Sequence, residues 1–253
     1  MNKENVSAHR RGIYLLPNLF TTATLFGGFY SVVAAMQGDF YLAAAAIFVA
    51  MIADGLDGRV ARLTQTASEF GAQYDSVADM VAFGVAPALV AYSWAFYTLG
   101  KLGWLVAFLY TAAGALRLSR FNIQRDTVDK QYFQGLPIPS AAGAMASVVW
   151  LGYVCGFDVA WIRWPLLLLS IMVSLLMVSH VRYHSFKEID FKGKVPFATI
   201  LLVILIFVGI AMNPPLVLCV TFVGYVFFGL LFTLLDMRQR IVHIRARRLK
   251  RKK

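Results

Sequence analysis

Charged residues are scarce in this chain: Asp, Glu, Lys and Arg make up only 15% of its 253 residues, where a soluble domain carries about 25%. With 59% of the residues hydrophobic, too little polar surface is available to coat a water-soluble fold. Cysteine is nearly absent. The two that occur, Cys155 and Cys219, lie inside apolar runs, where a thiol packs as a small hydrophobe, so neither a disulfide framework nor a cysteine metal site is expected. Long polar stretches are missing as well. Apolar runs of roughly 20 residues, enough to cross about 30 Å of hydrocarbon as a helix, recur from Tyr14 to Leu235. No soluble domain of useful size fits between them.

Acidic residues are outnumbered, 13 against 24 Lys and Arg, for a formal net charge of +11. In a soluble protein such an excess points to nucleic acid; here its placement excludes that partner. The basic residues gather in alternate loops and in the tail Arg238, Arg240, Arg245, Arg247, Arg248, Lys250, Arg251, Lys252 and Lys253, which is how a membrane protein marks its cytoplasmic side. The tail reads as a contact for anionic membrane lipids. Lys3, Arg10 and Arg11 ahead of an apolar stretch imitate a secretory signal. That stretch is long, lacks a clear small-residue cleavage site and leads into further spans, so an uncleaved first helix is expected.

Hydropathy predicts an all-α, polytopic membrane helix bundle of about eight transmembrane helices, at 16–36, 41–63, 74–97, 102–118, 138–155, 164–181, 195–212 and 216–235. An even count places both termini on one side, and the charges agree. The loops after the second, fourth and sixth helices hold Arg59 and Arg62, then Arg117, Arg120, Arg125 and Lys130, then Arg182, Lys187, Lys192 and Lys194, whereas the opposite loops offer little beyond Lys101 and Arg163. Both termini are expected in the cytoplasm, in a cell (inner) membrane. The expected organisation is a cytoplasmic segment at 1–12, a transmembrane domain at 13–235 with its catalytic core at about 13–156, and a basic cytoplasmic tail at 236–253.

Gly38, Gly100, Gly135 with Pro137 and Pro139, Gly193, and Asn213 with Pro214 and Pro215 punctuate the chain where this reading needs breaks. Small residues are dense in the first five spans, which lets helix backbones approach closely and marks that part as the packed core. The last spans, richer in Leu, Val, Ile and Phe, are candidates for lipid contact or a partner subunit. Trp94, Phe96, Tyr97, Trp104, Trp161 and Trp164 flank spans on the uncharged side and read as an interfacial belt. His180 and His184, spaced i, i+4 without a nearby acid pair, read as interface histidines rather than a second metal site.

The informative stretch is DGLDGRVARLTQTASEFGAQYDSVAD, residues 54–79. Asp54, Asp57, Gly58 and Ala61 follow i, i+3, i+4, i+7 spacing and share one helix face. Gly71, Asp75 and Asp79 share a face of the next helix. Two helices joined by a short connection run antiparallel, which brings the two Asp pairs opposite each other near the cytoplasmic boundary. Each acid at bilayer depth costs about 2.5 to 3.5 kcal/mol on insertion scales, and clustered carboxylates cannot all hold their charge unaided. Divalent cations resolve both difficulties. Carboxylates without Cys or His neighbours select hard ions, Mg²⁺ or Mn²⁺, and two ions roughly 3.5 to 4 Å apart neutralise such a cluster while gripping phosphate oxygens. The glycines leave room for a ligand, and Arg62 offers a fixed fork for phosphate, a positive-inside anchor being its second reading.

The pattern Asp54-x-x-Asp57-Gly58-x-x-Ala61-Arg62, eight residues, then Gly71-x-x-x-Asp75-x-x-x-Asp79 resembles, without departure, the signature of the CDP-alcohol phosphotransferase family. The resemblance implies that family's membrane fold and its chemistry, in which an alcohol displaces CMP from a CDP-linked substrate. It further implies that Asp54, Asp57 and Asp75 hold metal, that Asp79 is both ligand and base, that Gly58, Ala61, Arg62 and Gly71 border the CDP moiety, and that the protein is a homodimer.

Segments 16–35, 115–124, 133–142 and 185–197 are similar to the bacterial and archaeal members that use serine. This implies CDP-diacylglycerol and L-serine as substrates, giving phosphatidylserine and CMP. Serine carries a carboxylate, so an arginine near the metals is expected, and Arg117, Arg120 and Asn122 at the end of the fourth helix are the candidates. The two arginines serve equally well as positive-inside anchors or lipid contacts. Glycerol 3-phosphate, inositol phosphate or choline is the alternative acceptor. A cation transporter, the reading from another class, requires broken helices, inverted repeats and acids near mid-bilayer, and no repeat is visible. Asn18, Thr21 and Thr22 on the first helix read either as facing the nucleotide or as helix packing.

Overall fold

The computed structural model describes residues 3–64, 68–124, 132–179, 182–184 and 197–231. Eight helices lie among them: α1 (Lys3–Met36), α2 (Phe40–Leu63), α3 (Glu69–Trp94), α4 (Lys101–Gln124), α5 (Ile138–Val154), α6 (Val159–Val178), α7 (Phe197–Met212) and α8 (Pro214–Leu231). Six of these are long and apolar enough to cross a bilayer, and α5 is a shorter apolar helix. The chain is a multi-pass membrane protein whose architecture is a helix bundle. Two three-residue strands, β1 (Tyr132–Gln134) and β2 (Arg182–His184), pair antiparallel with Phe133 opposite Tyr183. They join the segment that follows α4 to the segment that follows α6.

Local signals explain the helix starts. The Asp39 carboxylate accepts the Leu42 backbone N–H at 2.9 Å and caps α2; Ser68 Oγ accepts the Gly71 N–H at 3.0 Å and caps α3. Pro137 and Pro139 open α5, where a missing N–H costs nothing. Just before them, Gly135 has φ +83°, and a Cβ there would lie 2.5 Å from the Met177 carbonyl oxygen. Only glycine lets this connection turn against the end of α6. Helix α3 begins at Glu69, ahead of the expected 74, and α4 runs to Gln124, beyond the expected 118. In both cases the added turns are polar and capped or packed as protein, which hydropathy does not register.

The bundle is held by close backbone approach. In lipid, helices gain little from burying apolar surface against each other, so small residues at contacts matter more. Ala43, Ala44 and Ala50 of α2 and Ala141, Ala142 and Ala144 of α5 are fully buried. On α1, a Cβ at Gly28 would come within 2.5 Å of Ala82 Cα in α3, and one at Gly27 within 2.9 Å of Ala50 Cβ in α2. Gly28→Leu therefore has no space and must push α1 off α3. Overpacking of this kind costs about 1–3 kcal/mol, so the variant is expected to melt several degrees below wild type in detergent; an unchanged melting temperature would contradict the close approach.

Helix α3 is not uniform. Residues Met80–Val85 form a π-helical stretch, in which the Ala86 N–H bonds to the Val81 carbonyl, five residues back. Pro87 follows and has no N–H, which orphans the carbonyl one α-turn earlier, that of Phe83. An open carbonyl in hydrocarbon must find another donor. Tyr110 Oη of α4 donates to Phe83 O at 3.1 Å, and Thr111 Oγ1 donates to Gly84 O at 3.1 Å. Tyr110 is fully buried. The widened turn starts directly after Asp79.

Three expectations change. Trp94 and Phe96 do not belong to the interfacial belt: both are buried, with the Trp94 ring seated on Gly152 of α5, because a helix end that meets a glycine can insert its aromatic residue into the bundle. Tyr97, Trp104, Trp161 and Trp164 are exposed, as a belt requires. Cys155 is not packed in an apolar run but exposed, since α5 ends at Val154. Finally, α8 is not wholly a lipid or partner surface. Phe222 packs on Gly143 of α5 and lies 5.7 Å from the Phe48 ring of α2, and Val226 is fully buried. Its other face, with Val220, Phe227, Phe228 and Leu231, is exposed.

Candidate active site

The site forms where the C-terminal end of α2 meets the N-terminal half of α3, against the first span turns of α1. Carboxylate oxygens of Asp54 and Asp57 from α2 and Asp75 from α3 all lie within 4.8 Å of one another. Asp79, one turn further along α3, faces Asp54 within hydrogen-bonding reach and senses the charges of Asp75 and Asp57. The antiparallel pairing inferred from the short α2–α3 connection thus brings the four acids together.

Neighbouring side chains orient them. Thr21 Oγ1 of α1 donates to Asp57 Oδ2 at 3.0 Å, and Asp57 is only 5% exposed. Thr21 therefore joins the site through the Asp57 carboxylate, which its helix-packing reading did not foresee. Next to it, Thr22 Oγ1 and Tyr74 Oη lie 3.0 Å apart and tie α1 to α3. Asp79 Oδ1 is buried and has no hydrogen-bond partner. A buried carboxylate oxygen left open is costly, and beside three more acids the cost is relieved by a cation, by a proton-bearing substrate group or by a proton on the carboxyl itself. The donors are all hard oxygens and no imidazole or thiol joins them among the described residues. The residues present fit a hard divalent metal ion.

Gly58 faces open space, with nothing within 4 Å of an added Cβ. Gly71 lies against Ser68 Oγ and Asn18 Oδ1, at 3.1 and 3.4 Å from such a Cβ, so a side chain there would crowd the mouth between α1 and α3. Ala61 is half-buried on the same stretch of α2, and the Arg62 side chain lies outside the described residues.

The three candidates at the end of α4 separate in the structure. Arg117 is buried, 8% exposed, with its guanidinium in electrostatic contact with Asp79 and 5.9 Å above the Phe121 ring. Its Nε is buried without a hydrogen-bond partner. Arg120 reaches the end of α6, donating from Nη1 to the Val178 carbonyl at 3.4 Å. Asn122 is bonded to Ser76 of α3, its Nδ2 donating to Ser76 Oγ at 3.0 Å and its Oδ1 accepting from that hydroxyl at 3.3 Å. Ser76 sits between Asp75 and Asp79 in sequence, so Asn122 braces the acid-bearing turn of α3. Nothing in the residue pattern singled out Ser76, since a lone serine between two acids carries no periodic signal.

His180 and the loop cations Arg125, Lys130, Lys187, Lys192 and Lys194 lie outside the described residues, as do Gly193 and the basic tail; His184 is placed in β2, its side chain not described.

Comparison with known proteins bears on the same residues. A family model described as CDP-alcohol phosphatidyltransferase matches residues 14–176, which include the whole acid cluster and Arg117. A Helicobacter pylori protein named CDP-diacylglycerol--serine O-phosphatidyltransferase is 39% identical over 220 residues, 87% of this chain and 91% of its own. A Bacillus subtilis protein of the same name is 34% identical over 175 residues, 68% of this chain and 92% of its own. An archaetidylserine synthase of Methanothermobacter thermautotrophicus is 36% identical over 170 residues, 66% of this chain and 69% of its own.

Proposed function

The chain belongs to the CDP-alcohol phosphatidyltransferase family, and from that premise we propose that it transfers the phosphatidyl group of CDP-diacylglycerol to L-serine, giving phosphatidylserine and CMP. The observation that carries this reading is the meeting of Asp54, Asp57 and Asp75 beside the open Oδ1 of Asp79, in a chain whose relatives are named for that reaction. In the reaction the serine hydroxyl oxygen forms a bond to the lipid-linked phosphorus. The bond from that phosphorus to the bridging oxygen of CMP breaks, and CMP leaves with the oxygen.

Asp54, Asp57, Asp75 and Asp79 would hold two divalent cations, Mg²⁺ or Mn²⁺, whose chemistry would be to polarise the diphosphate and neutralise the charge that departs with CMP. The chain's own groups do the rest. Asp79 accepts the proton of the serine hydroxyl, a task that needs an accessible carboxylate oxygen close to the reacting atom. Thr21 holds Asp57 in one rotamer through its 3.0 Å bond. Gly58, Ala61, Arg62 and Gly71 border the cytidine diphosphate, the glycines by leaving space for it. Arg117 takes the serine carboxylate, for which a buried guanidinium with an unsatisfied Nε beside the acids is suited; Arg120 and Asn122 complete that end of α4. The site opens to the cytoplasmic face of the inner membrane, where nucleotide and serine are dissolved and acyl chains enter between helices. The protein works as a homodimer among membrane lipids, with exposed apolar faces such as that of α7 covered by lipid or the second copy.

An acceptor panel tests the proposal. Purified protein given CDP-diacylglycerol, Mg²⁺ or Mn²⁺ and labelled serine is expected to release CMP and form labelled lipid. Glycerol 3-phosphate, inositol phosphate and choline are expected to give background release. Turnover with one of these and none with serine would overturn the acceptor assignment and leave the phosphotransfer chemistry standing.

A further inference from the structure

Helix α8 lies beyond the family-matched residues 14–176, yet it is built into the core rather than laid on it. Phe222 occupies the space that Gly143 of α5 leaves, its ring atoms within 2.5 Å of where a Cβ would stand, and Val226 is fully buried four residues on. Between these two anchors, one helical turn from Phe222, stands Tyr225. Residues 222, 225 and 226 share a face at i, i+3, i+4 spacing, so the docking that buries Phe222 and Val226 also turns Tyr225 inward. There it is half-buried and in electrostatic contact with the Arg117 guanidinium. Arg117 in turn is in contact with Asp79.

A buried guanidinium is a costly group that needs several partners. Asp79 and Tyr225 both lie near enough to act on its charge, and the Phe121 ring lies 5.9 Å from it. Nε remains without a hydrogen bond. A guanidinium packed among a carboxylate, a phenol and an aromatic ring has fewer orientations open to it, and recognition of a planar carboxylate demands a set orientation. Resting on the reading that Arg117 takes the acceptor's carboxylate, we propose that Tyr225 is a positioning residue for the amino-acid acceptor: it aims the Arg117 guanidinium, and so makes the C-terminal helix part of the acceptor site. Tyr225 acts through Arg117 and not on the reacting phosphorus. Its effect falls on acceptor affinity.

The test is a steady-state comparison of full-length wild type and Tyr225→Phe in detergent micelles containing CDP-diacylglycerol, with serine varied. Loss of the polar hydroxyl beside the guanidinium is expected to raise KM for serine about tenfold. Meanwhile kcat, KM for CDP-diacylglycerol and the melting temperature should stay within about twofold or a degree or two of wild type, because phenylalanine keeps the ring that packs α8. A double-mutant cycle with Arg117→Lys supplies the second readout: the tenfold effect of Tyr225→Phe should vanish in the Arg117→Lys background if the two act as a unit. An unchanged KM for serine in Tyr225→Phe, or an equal effect in both backgrounds, overturns the role of Tyr225 while leaving the serine reaction intact. Wild type that turns over another acceptor and not serine overturns the acceptor assignment, and this proposal with it.

Discussion

Replacing Asp79 by Asn is expected to lower kcat for CMP release by about 10²- to 10⁴-fold, the range associated with removing a positioned acid–base group, while the protein still inserts and folds. Asparagine has the same shape but can neither accept the serine proton as a base nor offer an anionic ligand. The fold should tolerate it, because the change removes one of four neighbouring negative charges and leaves the π-helical turn that follows untouched. The Tyr110 and Thr111 bonds to Phe83 and Gly84 hold that turn from α4, independently of the carboxylate. Purified Asp79→Asn with a wild-type melting curve and near-wild-type turnover would remove Asp79 from the chemistry.

Stripping divalent cations is expected to have a comparable effect. A chelator should take the rate to background, more than about a hundredfold down, and added Mg²⁺ or Mn²⁺ should restore it. The magnitude follows from the cluster itself. Two carboxylates 4.8 Å apart repel by about 3.5 kcal/mol at an effective dielectric constant near 20, several times thermal energy, and the cluster holds more than one such pair. Without cations the acids must take up protons or move apart, and either change removes the arrangement that grips a diphosphate. The stripped protein should also melt at a lower temperature than the loaded one, since a ligand that binds only the folded state stabilises it. Full activity after exhaustive chelation would mean that the acids serve some other purpose.

Much of this architecture is legible in the residue pattern because the membrane imposes long, regular signals. Apolar runs of span length gave the eight helices, and the i, i+3 and i, i+4 spacing of Asp54, Asp57, Asp75 and Asp79 placed each pair on a face. A short connection between α2 and α3 then allowed only an antiparallel pairing. What the pattern does not carry is the choice each side chain makes among neighbours distant in sequence. Trp94 has the composition of a belt residue and goes inward because Gly152 leaves it a seat. Thr21, one of several hydroxyls on α1, becomes part of the site only because α1 crosses α2 at Asp57. Tyr110 looks like an ordinary aromatic in an apolar helix until Pro87, on another helix, leaves the Phe83 carbonyl in need of a donor.

The same distinction applies to the arginines. Arg117, Arg120 and Asn122 are equivalent by position at the end of a helix; i, i+3 spacing keeps Arg117 and Arg120 on neighbouring parts of one face, and what separates them is the partner each reaches. Arg117 enters the protein toward Asp79, Arg120 reaches the end of α6, and Asn122 meets Ser76. Hydropathy likewise reports α8 as an apolar span and is silent on which of its faces is protein. Gly143, on α5 in the bundle's core, settles that by admitting Phe222.

Direct binding of Mn²⁺ to the detergent-solubilised protein, followed by loss of the free-ion electron paramagnetic resonance signal, examines the site without recourse to substrates. Wild type should take up Mn²⁺ saturably, to about two ions per chain, and Mg²⁺ should compete; Asp54→Asn and Asp75→Asn, which remove one ligand from each helix, should each weaken uptake by at least about tenfold. Equal uptake by wild type and both variants, or none by wild type at millimolar Mn²⁺, would contradict a cation site built where α2 and α3 meet.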